Sequence, residues 1–303
     1  MSALRALGAE ISQEEGHVVA RAKKLRGAEI ILNITSVGAT ENTIMAAALA
    51  EGTTEIHNAA MEPEVVDLCR FLTRCGVELE GIGTKTVTVH GQPSISAKVD
   101  YSVIPDRIEA GTYLTAIAAT GGSGTVENVV PEHIEALTLK LRECGVKIEA
   151  GENSVTVSQD SKLTAADVRT APYPGFPTDL QPQLTALLTA ADGVSTVTET
   201  IFEKRLSHVP ELARMGAKVK IKGDSALIEG TPGALSGVPV EASDLRCAAA
   251  LVIAGLMAKG ETRIDGYGHI VRGYEELPDK FAALGGDVQY VEEERRKATE
   301  GAG

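Results

Sequence analysis

The chain has 303 residues, a formal net charge of −13, 43% hydrophobic, 23% charged and 3% aromatic residues, and no tryptophan. That is enough for one large or two medium domains whose cores are built from Ala, Val, Ile and Leu. The acidity argues against broad nucleic-acid or membrane-surface binding, and no apolar run approaches the roughly 18 residues of a spanning helix.

In chain order, ALRALGAEISQEEGHVVARA comes first and reads as the tail of a longer unit. In ITSVGATEN a strand runs into a Ser-Val-Gly turn and a helix, so N–H groups near Ser36, Val37 and Gly38 point outwards. That shape suits a diphosphate, although strand–Gly–helix turns are common without one. The Ala-rich helix TENTIMAAALA, with Thr40 as a candidate cap, leads to strand GTTEI. Helix EPEVVDLCRFLTRCG follows, its Glu62 and Glu64 most simply marking an acidic start, and then the strand pair VELEGIGTKTVTVHG. The pattern returns from IPDRIEAGT, where Asp106, Arg107 and Glu109 form a local charged cluster at a junction. It returns again from PTDLQPQLTALLTA, with Thr178 as a candidate cap, and from ASDLRCAAALVIAGL, with Ser243 as one. The last residues, EEERRKATEGAG, read as a solvated tail. Cys69, Cys75, Cys144 and Cys247 lack metal-ligand spacing and read as buried thiols of a reducing cytoplasm.

These returns are a repeat. A helix-ending glycine recurs at Gly8, Gly76, Gly145, Gly216 and Gly285, at intervals of 68, 69, 71 and 69 residues. A strand-opening glycine recurs at Gly52, Gly122, Gly193 and Gly260, ahead of the first landmark by 24, 23, 23 and 25 residues. Two landmarks holding one period define a β-α-β-α-β-β unit and an α/β (α+β) chain. Four whole units are expected after the tail of a fifth, and a start in mid-unit suggests a truncated sequence.

Chemistry shows where the units differ. Fourteen residues before the strand-opening glycine stand Gly38, Ile108, Asp179 and Arg246. Twelve after it stand Glu64, Ile134, Arg205 and Arg272. The third and fourth units alone therefore place one carboxylate and three guanidiniums in equivalent loops, which lie on one face of a repeat. Such a set suits an anionic substrate beside a hydroxyl to be deprotonated. Singly, Asp179 also reads as a helix-start acid and each arginine as a surface residue. His208 reads as a structural histidine.

At these residues the sequence resembles the UDP-N-acetylglucosamine 1-carboxyvinyltransferase family of enolpyruvyl transferases. SVGATEN, AEGTTEIHNAAMEPEVVDL, IPDRIEAGT, RTAPYPGFPTDLQPQ, TETIFEKRLSHVPELARMGA, ASDLRCAAALVIAGL and HIVRGYEEL carry the likeness, in the family's order. The resemblance implies two domains of three units each, with the active site in the cleft between them. It gives residues 1–104 as the remnant of a first domain, 105–291 as the second and 292–303 as a flexible tail. It implies transfer of the enolpyruvyl group of phosphoenolpyruvate to the 3-hydroxyl of UDP-N-acetylglucosamine in cytoplasmic peptidoglycan synthesis, with no cofactor or metal. Asp179 falls on the carboxylate that takes the hydroxyl proton, and Arg205, Arg246 and Arg272 on the arginines that hold phosphoenolpyruvate. Ile34, Thr35, Ser36 and Val37 match the uridine diphosphate segment, and Ile201 a backbone contact to the nucleotide sugar. The family's N-terminal Lys-Asn motif and the loop bearing a Cys or Asp proton donor are absent, so negligible turnover is expected of these residues alone. A remnant that binds only UDP-sugar or a partner, or an enzyme acting on shikimate 3-phosphate, are the alternatives. The incomplete first domain is expected to self-associate or to pair with the missing part.

Overall fold

The computed structural model of the chain describes residues 1–14 and 16–291, so the expected tail 292–303 lies outside the described residues. Two compact units emerge. One comprises Met1–Ile104 with Pro172–Gly175, the other Pro105–Ala171 with the chain from Phe176 onward.

The first unit opens with α1 (Ser2–Ala6) and an antiparallel hairpin of β1 (Glu10–Glu14) and β2 (His17–Arg21). Then come β3 (Glu29–Ile31), α2 (Val37–Ala47), β4 (Gly52–His57), α3 (Pro63–Arg74), β5 (Glu78–Glu80) and β6 (Thr86–Gly91). The sheet order is β3-β4-β6-β5, parallel only between β3 and β4. Alternation along β6 sends Val87 and Val89 into a core with Ile44, Ile56, Val65 and Cys69.

The second unit contains three further turns of the repeat. The first is α4 (Arg107–Ala119), β7 (Ser123–Glu127), α5 (Glu135–Glu143), β8 (Lys147–Ala150) and β9 (Ser154–Ser158). Next are β10 (Val168–Arg169), α6 (Gln181–Leu188), β11 (Gly193–Thr198), α7 (His208–Arg214), β12 (Lys218–Lys222) and β13 (Ser225–Gly230). The last comprises β14 (Val240–Glu241), α8 (Leu245–Met257), β15 (Ile264–Asp265) and α9 (Leu277–Ala283). The sheets are β7-β9-β8, β10-β11-β13-β12 and β14-β15.

Helices α4, α6 and α8 pack on one another, and Leu114, Leu184, Leu187, Leu251 and Ile253 are wholly buried there. All-round hydrophobicity makes these the central helices. Each fully buried Leu or Ile adds about 1.5–3 kcal/mol. Gly111 lets α4 lie close against the turn ahead of α6, since a Cβ there would lie 2.7 Å from Leu180 Cδ1. Two of the four strand-opening glycines pair across the sheet with glycines that close the unit, Gly52 with Gly91 and Gly193 with Gly230.

The α/β class and the repeat stand, but two units are less complete than the glycine landmarks suggest. The second repeat has no opening strand, because Tyr101 is drawn away to α3, its hydroxyl 2.6 Å from Asp67 Oδ1. The fourth has no closing strand pair among the described residues, only six of which follow Gly285. The caps also differ. Ser36 caps α2 and Asp244 caps α8, in place of Thr40 and Ser243. Thr178 opens a 3₁₀ turn, and its hydroxyl bonds elsewhere. Cys69, Cys144 and Cys247 are buried and Cys75 is partly exposed. No helix among the described residues is long and apolar enough to cross a membrane.

Candidate active site

Three of the four repeat-breaking residues meet in the second unit. Asp179 lies in the 3₁₀ turn Thr178–Leu180 ahead of α6, Arg205 begins the turn Arg205–Ser207 ahead of α7, and Arg246 is in the first turn of α8. One carboxylate oxygen, Asp179 Oδ1, accepts from Arg205 Nη2 and from Arg246 Nε, both at 2.9 Å. Asp179 Oδ2 accepts no hydrogen bond among the described residues. The carboxylate is 36% exposed and the arginines 13% and 17%, so the pairs are shielded while the free oxygen still meets solvent. Arg272 ends the turn Tyr267–Arg272, is exposed, and makes no ion pair or hydrogen bond among the described residues.

A polar scaffold lies behind this cluster. Gln183 Nε2 donates to the Asp179 carbonyl (2.8 Å) and to Thr112 Oγ1 (3.1 Å), and Thr112 bonds the Tyr274 hydroxyl (2.8 Å). Tyr274 in turn touches Arg246. Burial raises the Tyr274 pKa above its usual value, outweighing the opposite pull of Arg246. Burial works against the charge on Arg246, yet Asp179 and Tyr274 outweigh it and raise its pKa. Asp244 accepts from the Arg246 and Cys247 N–H groups and from the Ser207 hydroxyl. Burial opposes its charge, but these bonds hold its carboxyl below the usual range. His208 is wholly buried, its Nδ1 3.0 Å from the Arg205 carbonyl, and burial lowers its pKa to about 4.

The loop after β11 carries Ile201 and Phe202, both exposed. Their N–H groups are committed to Glu199 Oε1, at 2.8 and 3.0 Å. The Ile201 carbonyl accepts no bond among the described residues. The Phe202 ring lies 4.5 Å from the Arg205 guanidinium carbon.

In the first unit, Ile34 is exposed and Thr35, Ser36 and Val37 are half-buried at the N-terminus of α2. Thr35 donates to Asn58 Oδ1 at 2.8 Å, and Ser36 Oγ accepts from the Ala39 N–H at 3.3 Å. An added Cβ at Gly38 would meet nothing, so internal packing does not require glycine there. The helix N-terminus therefore presents open N–H groups beside room for an anion. One turn further along α2, Glu41 has a raised pKa through burial and the nearby Glu64 and Glu62.

Repeat counting at two offsets missed Glu199, Tyr274 and Gln183. A third offset finds Glu199. Six residues after each strand-opening glycine stand Asn58, Asn128, Glu199 and Gly266, and Glu199 alone is charged. Tyr274, Gln183 and Thr112 have no such signal, because folding alone brings two helix positions and a loop residue together from distant parts of the chain. A cavity of about 250 Å³ lined by Ile117, Thr120, Leu256, Phe281 and Leu284 shares no residue with the cluster.

The family model for EPSP synthase (3-phosphoshikimate 1-carboxyvinyltransferase) matches residues 1–281. UDP-N-acetylglucosamine 1-carboxyvinyltransferase 2 of Geobacillus kaustophilus (strain HTA426) is 51% identical over 283 residues, 93% of this chain and 66% of that protein. UDP-N-acetylglucosamine 1-carboxyvinyltransferase 1 of Caldanaerobacter subterraneus subsp. tengcongensis is 48% identical over 288 residues, covering 95% and 69%. Among solved structures, the enolpyruvyl transferase NikO from Streptomyces tendae superposes with a TM-score of 0.84 at 25% identity, covering 95% of this chain and 71% of that one. EPSP synthase from Acinetobacter baumannii shares the fold, with a TM-score of 0.71 at 20% identity over 96% and 71%. The chain thus spans just under two thirds of the length of the first of these relatives.

Proposed function

The chain belongs to the EPSP synthase family of enolpyruvyl transferases, and within it to the UDP-N-acetylglucosamine 1-carboxyvinyltransferases, and from that premise we propose that it transfers the enolpyruvyl group of phosphoenolpyruvate to the 3-hydroxyl of UDP-N-acetylglucosamine. The observation that carries this is the pairing at Asp179, with one oxygen between two guanidiniums and the other open. Phosphoenolpyruvate brings a phosphate and a carboxylate, each a better bidentate partner for arginine than one shared carboxylate oxygen. Arg205 and Arg246 hold these groups, with Arg272 joining them from its exposed turn. Asp179 Oδ2 then accepts the proton of the sugar hydroxyl as its oxygen bonds to C2 and C3 gains a proton. The resulting tetrahedral adduct loses phosphate from C2 as C3 gives up a proton, re-forming the C2=C3 double bond as the enol ether of the product. The cluster itself offers no acid for C3, since its members are one carboxylate and arginines that stay charged.

The turn from Ile34 to Val37 cradles the uridine diphosphate, and the Ile201 carbonyl meets the sugar. The product feeds peptidoglycan synthesis, hence cell-wall growth, cell shape and division, and the site of action is the cytoplasm.

Calorimetry with each substrate tests the reading. The parent chain should bind both, and Arg246→Ala should weaken phosphoenolpyruvate binding about tenfold or more. Asp179→Asn should keep most of that affinity and weaken UDP-N-acetylglucosamine binding about tenfold, because an amide NH₂ in place of Oδ2 cannot accept the sugar hydroxyl's hydrogen. Undiminished UDP-N-acetylglucosamine affinity in Asp179→Asn, or preference for shikimate 3-phosphate over UDP-N-acetylglucosamine, would overturn it.

A further inference from the structure

Asn58, Asn128 and Gly266 all take left-handed backbone conformations, with φ of 58°, 52° and 86°, and close the strand with the same turn. Glu199, their equivalent, does not, and in its place puts a carboxylate into the protein. It is 5% exposed. Oε1 accepts from the Thr170 hydroxyl at 2.9 Å and from the Ile201 and Phe202 N–H groups. Oε2 accepts from the Thr178 hydroxyl at 2.9 Å.

The last bond has a direction. A hydroxyl has one hydrogen, and a carboxylate that only accepts draws it towards Glu199. The Thr178 lone pairs then face the other way, where Arg205 Nε–H lies at 3.2 Å. The same guanidinium reaches Asp179 through Nη2 and has Phe202 against it. Glu199 therefore governs both the hydroxyl at Nε and the loop that carries the ring. We infer that Glu199 is a positioning residue: through Thr178 and the Ile201–Phe202 backbone it aims Arg205 at Asp179 and at the ligand they share.

Glutamine is nearly isosteric and discriminates sharply. Three donors converge on Oε1, so the amide oxygen must occupy that position and the NH₂ group must face Thr178. The hydroxyl hydrogen is then turned towards Arg205 Nε–H, donor against donor.

The test has two arms, and only the second rests on the enolpyruvyl-transfer reading. In the ligand-free chain, the Arg205 Nε–H signal is followed by ¹⁵N NMR as it exchanges with water. Glu199→Gln should speed exchange about tenfold relative to the parent, with the unfolding midpoint near the parent value. Should Glu199→Gln not fold, Thr178→Val against Thr178→Ser decides, with the serine expected to restore protection. Equal protection in the parent, Glu199→Gln and Thr178→Val would overturn the inference. In the second arm phosphoenolpyruvate is titrated calorimetrically. Glu199→Gln should weaken binding in the parent and change nothing in an Arg205→Ala background, whereas additive losses would reduce Glu199 to a loop staple. If the parent binds no phosphoenolpyruvate, the functional reading fails and the exchange arm still decides the role of Glu199.

Discussion

His208 shows how the site loads its supports. Its Nδ1–H donates to the Arg205 carbonyl, while Nε2 is buried with no partner among the described residues, which favours the neutral ring. Its folded pKa of about 4 lies below the unfolded value of about 6.5, so between these values the unfolded chain binds more protons. Stability from the neutral ring is complete above about pH 6.5 and is lost as pH falls towards 4, by roughly 3 kcal/mol at most. Urea midpoints should therefore drop more steeply with acid in the parent than in His208→Asn, whose amide keeps the donor without the titration. Parallel curves would count against this. At this scale the sequence was legible where repeats disagree, which is how Asp179, Arg205 and Arg246 stood out. Tyr274 and Gln183 were not, because their roles depend on contacts with Thr112 across as many as 162 residues of chain.

Elements were legible in kind and blurred at their ends. Apolar spacing and glycines located the helices, but Ser, Thr and Asp cluster at each start, and only backbone geometry selects Ser36, Asp106 and Asp244 as caps. Glycines separate into two sorts. A Cβ at Gly230 would lie 1.9 Å from the Ala191 carbonyl oxygen and 2.8 Å from that of Leu188, and neither backbone atom can swing aside. Gly230→Ala should cost at least the about 1–3 kcal/mol typical of overpacking, read as a lower denaturation midpoint at unchanged m-value. Gly38 is the opposite case. Gly38→Ala should leave stability equal or raise it by up to about 1 kcal/mol, because alanine favours the helix. If the turn at α2 holds a diphosphate, the same change should weaken UDP-N-acetylglucosamine binding, and unchanged affinity would remove Gly38 from that role.

At the scale of the molecule, the four equivalent helices have unequal surroundings. In α4 nearly every residue is buried and in α6 all are, whereas in α2 only Thr40, Thr43, Ile44 and Ala47 are buried, with Met45 45% and nearby Leu49 53% exposed. A helix whose equivalents are central and whose own flank is open needs company. The chain should self-associate as its concentration rises in sedimentation velocity, and Met45→Glu with Leu49→Glu should shift it towards monomer. A parent that stays monomeric at high concentration would refute this. The repeat made the layout readable, but burial was not, since identical Ala-rich helices sit in a finished bundle or at an open face according to their neighbours. The sheet β10-β11-β13-β12 ends on β12, along which Lys218, Lys220 and Lys222 are all exposed. An outermost strand offers spare N–H and C=O groups to any passing strand, and the ammonium groups of Lys220 and Lys222, beside the Lys218–Glu229 ion pair, make such docking costly to dehydrate. A row so charged is expected to keep this edge from recruiting a second sheet, so that replacing Lys220 and Lys222 with Thr should make the chain more prone to strand-to-strand aggregation.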